Sequence, residues 1–213
     1  MSQLITIRTQ DGIVMAADSR ITYSGDRAPY YLDSANKLFL TQSNVGISTC
    51  GNAGINNKRI EFYIEDFIEG NSQCNAEEIA NKIIPYFKGL RNDLDTTFHV
   101  CDYSRCFRVF TKSEQVLDCN DTFNPCGIVW NGDNYVVSRL LNGYFCINND
   151  GNPGDKEAYR QVPWEKFKII DAIEFIKFAM ETAIKMQRFH QEEHTIGGEI
   201  KILSISSKGA QWH

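Results

Sequence analysis

The chain has no cluster of lysine and arginine. Acidic residues outnumber basic ones, 27 against 22, for a net charge of -5. A nucleic-acid partner needs a basic stripe or patch, so none is expected. No apolar run approaches the roughly 18 residues that span a membrane. The N-terminus lacks the basic-then-apolar layout of a signal peptide, so a cytoplasmic location is expected. No C-x-x-C pair occurs, and the seven cysteines are an odd number. That argues against both a disulfide framework and a zinc site, and for reduced, partly buried thiols. There is no internal repeat, low-complexity tract or linker. The 213 residues therefore read as one domain, 1–213, long enough for a sizeable core. No cofactor and no metal are expected.

What is present is patterned. Gln3, Ile5 and Ile7 alternate with Leu4, Thr6 and Arg8, Asp11-Gly12 marks a turn, and Ile13 to Ala16 is a short apolar run. This predicts a β-hairpin with a buried second strand. Lys37–Leu40 and Val45–Thr49 read as two more strands. Ile60, Tyr63, Ile64, Phe67 and Ile68 share one helix face, stopped by Gly70-Asn71. A second helix starts at the capping pair Asn75 and Glu78 and carries Ile79, Ile83, Phe87, Leu90 and Leu94. Pro85 should kink it unless the helix restarts there. From Phe98 to Asn149 short strands are predicted, best at 109–110, 127–130, 135–137 and 144–147. Residues 148–155 read as a turn-rich surface loop. A third helix is predicted from the capping pair Asp171 and Glu174 along Ile173, Ile176, Met180, Ala183 and Ile184. Ile200 to Ile205 make a closing strand. Strands and helices in blocks predict an α+β fold.

Residue 2 is a serine. If Met1 is removed, Ser2 carries both a hydroxyl and a free α-amine, and the amine can act as base for its own hydroxyl. The segments around it are similar to a known family. Ile13-Val14-Met15-Ala16-Ala17-Asp18-Ser19-Arg20-Ile21-Thr22 resembles the first hairpin of proteasome β subunits. Asn36-Lys37-Leu38-Phe39 resembles their lysine-bearing strand, and Gly46 to Gly54 the strand and turn that enter their first helix. Thr195-Ile196-Gly197-Gly198 before a strand resembles their closing segment. The likeness covers residues 2–70 and about 165–206 and is poor between them. It implies an N-terminal-nucleophile hydrolase with a four-layer αββα sandwich, two antiparallel sheets between helix layers. It also implies a peptidase subunit that acts on peptide or unfolded protein, self-associates into rings or spirals, and could receive substrate from an unfoldase, which the sequence itself does not reveal. The chain lacks the N-terminal helical extension of α-type subunits, so it resembles the β type.

The resemblance also implies roles. Ser2 would attack the carbonyl while its α-amine, with an ordinary pKa near ~8, shuttles the proton. Lys37 would place a positive charge beside the hydroxyl, and Asp18 would hold Lys37. The Gly51 N–H would be an oxyanion donor, a kind of contact worth about 3 kcal/mol. Thr22 would bind the substrate backbone, and Ala35, Thr49 and Ala53 would line the side-chain pocket. Glu193 falls near the family's late aspartate, and Ile196 near its late serine. The sequence departs from the family in having serine for threonine at the nucleophile. It also has no clear counterpart of the central Gly-Ser-Gly segment; Asn131-Gly132-Asp133 is the nearest glycine turn. Ser19 and Arg20 read as supports of the hairpin end. Two other functions are expected to compete: a catalytically silent assembly subunit of the same fold, and a small-amide hydrolase. His190-Gln191-Glu192-Glu193-His194 matches H-x-x-E-H, but as a helix C-terminus it reads as structural rather than zinc-binding.

Overall fold

The computed structural model describes residues 2–23, 30–120, 126–133, 135–141, 145–147, 153–156, 162–189 and 194–213, with backbone alone for 145–147 and 153–156. The opening hairpin forms as the alternation predicts. Strands β1 (Gln3–Arg8) and β2 (Gly12–Asp18) pair antiparallel. Thr9 closes their turn, its N–H donating to Gly12 O at 2.8 Å and its hydroxyl to Asp11 Oδ1 at 2.8 Å. Successive strand side chains point to opposite faces. Leu4 accordingly joins Ile13, Met15 and Ala17 in one apolar cluster, while Ile5 and Ile7 join Val14 and Ala16 in another. Every residue of β2 is buried, and its sequence is a continuous apolar run until Asp18.

Around this hairpin the first sheet runs β12 (Gly127–Gly132), β1, β2, β15 (Ile200–Ser206), β16 (Gly209–Trp212). The second runs β11 (Gln115–Asp118), β10 (Cys106–Phe110), β9 (Thr96–Cys101), β6 (Gly46–Gly51), β5 (Leu38–Leu40). Neighbours in both sheets are antiparallel. Three two-stranded ribbons complete the strands: β3 (Ile21–Tyr23) with β4 (Tyr30–Leu32), β7 (Gly54–Ile55) with β8 (Lys58–Arg59), and β13 (Phe145–Ile147) with β14 (Pro153–Lys156).

The two sheets meet through Leu4, Met15 and Leu203 on one side and Leu38, Cys50, Cys101 and Cys106 on the other. Helices α1 (Ile60–Gly70) and α2 (Ala76–Leu90) cover the second sheet's far face. Ile64, Phe67, Ile79, Ile83 and Phe87 pack there on Ile47, Phe98, Val100 and Val109. Helix α4 (Ile169–Gln187) covers the first sheet with Ala172, Ile176 and Met180, helped by Val137 of α3 (Tyr135–Leu141). The fold is thus mixed α and β with antiparallel sheets. Among the described residues no helix is long and apolar enough to cross a membrane.

The Asn75–Glu78 capping box is present, and α2 runs on through Pro85. Four local expectations are corrected. Helix α2 ends at Leu90, so Leu94 lies beyond it, buried in the same core. Residues 135–137 begin helix α3 rather than a strand. The Asp133 carboxylate accepts the Tyr135 N–H at 3.1 Å, much as a cap does, and a three-residue apolar run has no period of its own. Pro153–Lys156 forms strand β14 where a loop was expected; residues 148–152, and Tyr144 before them, lie outside the described residues. Asp171 sits inside the first turn of α4 and not at its cap, accepting the Lys168 N–H at 2.8 Å. The six cysteines with described side chains are free thiols.

Candidate active site

β1 is held on both sides, by β2 and by β12, so the residue just before it is fixed as well. Ser2 is buried, and its carbonyl accepts the Asp133 N–H at 2.8 Å. Gly132 allows that approach: with φ at +90°, a Cβ there would lie 1.7 Å from Ser2 O. The Asn131-Gly132-Asp133 turn, only a weak candidate by sequence, thus touches the serine backbone directly.

Asp18 ends β2 and is 1% exposed. A buried carboxylate is tolerated only when its lone pairs are satisfied. Here Oδ1 accepts from Gln3 N at 2.9 Å and Lys37 Nζ at 3.0 Å, and Oδ2 from Arg20 N at 3.2 Å and Gly197 N at 3.1 Å. Lys37 stands just before β5. Its ammonium donates to Ser2 Oγ at 2.7 Å, to Asp18 and to the Arg20 carbonyl. Its three protons therefore meet three acceptors. Burial pushes the Lys37 pKa down, and the charge of Asp18 opposes that. Cys50 lies close by, but burial pushes its thiol up to about 12, so it offers no competing thiolate.

Gly51 ends β6 with φ at +124°, where a Cβ would sit 2.3 Å from Asp95 O. A cavity of about 200 Å³ lies beside Ser2, bordered by Thr22, Ala35, Lys37, Thr49, Gly51 and Ala53. Among the described residues neither Thr22 Oγ1 nor Thr49 Oγ1 has a hydrogen-bond partner. A second cavity, about 350 Å³, also borders Ser2 and Gly51 and extends along Asn52, Asp95, Thr97 and Gly132. A larger groove of about 790 Å³ runs between β5, α1 and the end of β16 and does not reach Ser2.

Lys37 is thus hydrogen-bonded to both Ser2 and Asp18, and Thr22, Ala35, Thr49, Gly51 and Ala53 surround one cavity with Ser2 and Lys37. Glu193 lies outside the described residues, as does 190–193 of the H-x-x-E-H pattern. Ser19 and Arg20 support the hairpin end. The Ser19 hydroxyl donates to Asp33 O at 3.1 Å, and Arg20 grips the Asp33 carboxylate through Nε at 2.6 Å and Nη2 at 2.7 Å. The Arg20 guanidinium holds the Asp33 carboxyl below its ordinary range. Gly197 leaves room for that guanidinium, since a Cβ would come within 2.4 Å of its carbon.

Sequence reasoning missed several neighbours. Glu61, in the first turn of α1, borders the 200 Å³ cavity. It accepts the N–H of Asn36, beside Lys37, and Arg59 Nη2 at 2.7 Å. Gln187, which ends α4, donates to Asp133 Oδ2 at 2.7 Å and accepts the Ile196 N–H at 3.1 Å. Ile196 brings no hydroxyl, but its backbone is held all the same. Nothing in the sequence around Gln187 marks it, because its partners lie on distant segments.

No known family profile matches the sequence, and no curated protein does. Solved structures match over almost the whole chain. A Gly-1 mutant of Anbu from Hyphomicrobium sp. strain MC1 superposes with a TM-score of 0.68 at 14% identity, covering 100% of this chain and 85% of that one. Anbu from the same organism gives 0.63 at 12%, covering 96% and 82%. Anbu of Yersinia bercovieri, described as an ancestral β-subunit, gives 0.66 at 11%, covering 99% and 85%. At these identities the likeness is one of fold, and the fold of this chain is the one seen in Anbu.

Proposed function

We propose that this chain is a proteasome-like peptidase subunit whose nucleophile, once Met1 is removed, is Ser2. The observation that carries the reading is the 2.7 Å hydrogen bond between Lys37 Nζ and Ser2 Oγ, with Lys37 tied to buried Asp18. The packing of helices on the outer faces of two stacked sheets fits the four-layer αββα sandwich of N-terminal-nucleophile hydrolases, and the Anbu fold supports it.

In this reading the Ser2 α-amine takes the hydroxyl proton as Oγ bonds to the scissile carbonyl carbon. Lys37 stabilises the developing alkoxide, and the Gly51 N–H receives the oxyanion. Collapse breaks the C–N bond, and the ammonium passes its proton to the leaving amine. Water then attacks the Ser2 ester, its proton goes to the amine, and Oγ recovers a proton as the acid departs. Thr22 on the β3 edge hydrogen-bonds an extended substrate, and Ala35, Thr49 and Ala53 receive its side chain. Two cavities that both border Ser2 and Gly51 leave room for more than a small amide, which favours an extended peptide. Glu193, two residues before Thr195, stays a candidate support for the α-amine. The proposal includes self-association into rings or spirals, a cytoplasmic setting, and an unfoldase that delivers unfolded protein.

The test is labelling of Met1-free protein with a peptide epoxyketone, which needs hydroxyl and free amine together. An adduct mapped to Ser2 by mass spectrometry is expected. Retention of Met1 in the native host, or no adduct on Met1-free protein, refutes the peptidase reading and leaves the silent assembly subunit.

A further inference from the structure

We infer that Gln187 is a positioning residue for the Ser2 site, closing a hydrogen-bonded circuit around the nucleophile. The inference rests on Ser2 being that nucleophile. The Gln187 carboxamide has one consistent orientation: Oε1 accepts the Ile196 N–H at 3.1 Å, while Nε2 donates to Asp133 Oδ2 at 2.7 Å and Thr195 Oγ1 at 3.2 Å. Both ends of the group are committed, and flipping it would set oxygen against carboxylate and N–H against N–H.

The two segments it joins grip the site from opposite sides. Asp133 donates its N–H to Ser2 O at 2.8 Å, and its carbonyl accepts Gln3 Nε2 at 3.1 Å. Its carboxylate takes the Tyr135 N–H on one oxygen and Gln187 on the other. On the far side, Gly197 N donates to Asp18 Oδ2 at 3.1 Å, and Ile196 O accepts from Arg20 Nη1 at 3.3 Å. Asp18 holds Lys37, and Lys37 holds Ser2 Oγ. The circuit therefore runs from the Ser2 carbonyl through Asp133, Gln187, residues 195–197, Asp18 and Lys37 to the Ser2 hydroxyl.

The helix gives Gln187 a firm base. Ala183, one turn earlier, is buried with Val136 and Ile196, and Met180 lies in the core against the first sheet. A site held by a side chain on a packed helix keeps its geometry better than one resting on loops alone. Gln187 also answers the missing hydroxyl at Ile196, since it reaches the same segment through the backbone. It has no bond to Ser2, Asp18 or Lys37, so its effect passes through the two segments it joins.

The test measures how fast full-length, Met1-free protein forms the Ser2 adduct with the epoxyketone at increasing probe concentration. Gln187→Glu sets a carboxylate against Asp133 and removes the donor. The maximal adduct rate should fall about 10- to 100-fold, with the half-saturating probe concentration unchanged. Gln187→Ala removes the tie without repulsion, should show the same split, and covers the case in which Gln187→Glu folds poorly. In Asp133→Asn/Gln187→Glu the carboxamide oxygen at 133 still accepts the Tyr135 N–H, and its nitrogen donates to the new carboxylate, so most of the rate should return. Single variants that react at the wild-type maximal rate overturn the positioning role. So does a loss confined to probe binding or thermal midpoint, or a swap that restores nothing. A wild-type protein without a Ser2 adduct overturns the nucleophile reading and this inference with it.

Discussion

His99 links the two sheets, and its burial sets a stability limit on the acid side. It stands on β9, fully buried. Its Nε2–H donates to Asn131 Oδ1 of β12 at 2.9 Å, and its Nδ1 accepts the Thr6 hydroxyl of β1 at 2.9 Å. Those roles belong to the neutral ring. Burial pushes its pKa from the ordinary 6.5 down to about 4, and the nearby charge of Arg108 acts in the same direction. Between those values the unfolded chain takes up a proton that the folded chain refuses, so stability falls as pH falls. The contribution is whole above pH 6.5 and gone below about 4. At about 1.4 kcal/mol per pH unit the gap amounts to about 3 kcal/mol, a sizeable share of an ordinary domain's stability of about 5–15 kcal/mol. Urea denaturation at about pH 7.5, 6 and 4.5 should show this loss in the wild type. It should be absent from His99→Gln, which stays neutral, and the difference between the two curves cancels the other titrating groups. Parallel curves for the two proteins would refute the reasoning.

Further outcomes follow from the same geometry. Lys37→Met leaves Asp18 with its three backbone donors and without its ion-pair contact; a loss of about 3 kcal/mol in denaturant unfolding is expected, together with loss of Ser2 labelling. Gly51→Ala must strain a backbone at φ +124° and press a methyl on Asp95 O, costing about 1–3 kcal/mol, and should lower both the thermal midpoint and the labelling rate. Phe87→Ala removes a ring that packs 5.1 Å from Phe98 and 6.3 Å from Phe67. It should cost about 3–5 kcal/mol in unfolding experiments while labelling under native conditions persists.

The parts of the fold legible in the sequence are those whose signal is local. The β1–β2 hairpin shows because turn and alternation lie within sixteen residues, Gln3 to Asp18. The α1 and α2 stripes show because each helix buries one face. Ser2, Asp18, Lys37 and Gly51 were readable because all lie in the first quarter of the chain, on motifs with a recognisable order. The rest of the site was hidden for a physical reason. Asp133 meets Ser2 only because β12 pairs with β1, and Gln187 meets Asp133 only because α4 packs across the same sheet. Strand β9 was not singled out, since its Thr, His and Cys side chains are buried between apolar neighbours without spelling an apolar run. Residues 135–137 mislead because Val136 and Val137 suit a strand by type, while the Asp133 carboxylate that accepts the Tyr135 N–H and the packing of both valines beside α4 go with a helix.

The four groups that hold the Asp18 carboxylate come from residues 3, 20, 37 and 197. Three of them lie within 35 residues of one another; the fourth comes 160 residues after Lys37. Strand β2 likewise gains its second neighbour only when β15 arrives, and such distant pairings are the slow step in folding. A nascent chain therefore carries its serine long before it carries a completed site around it.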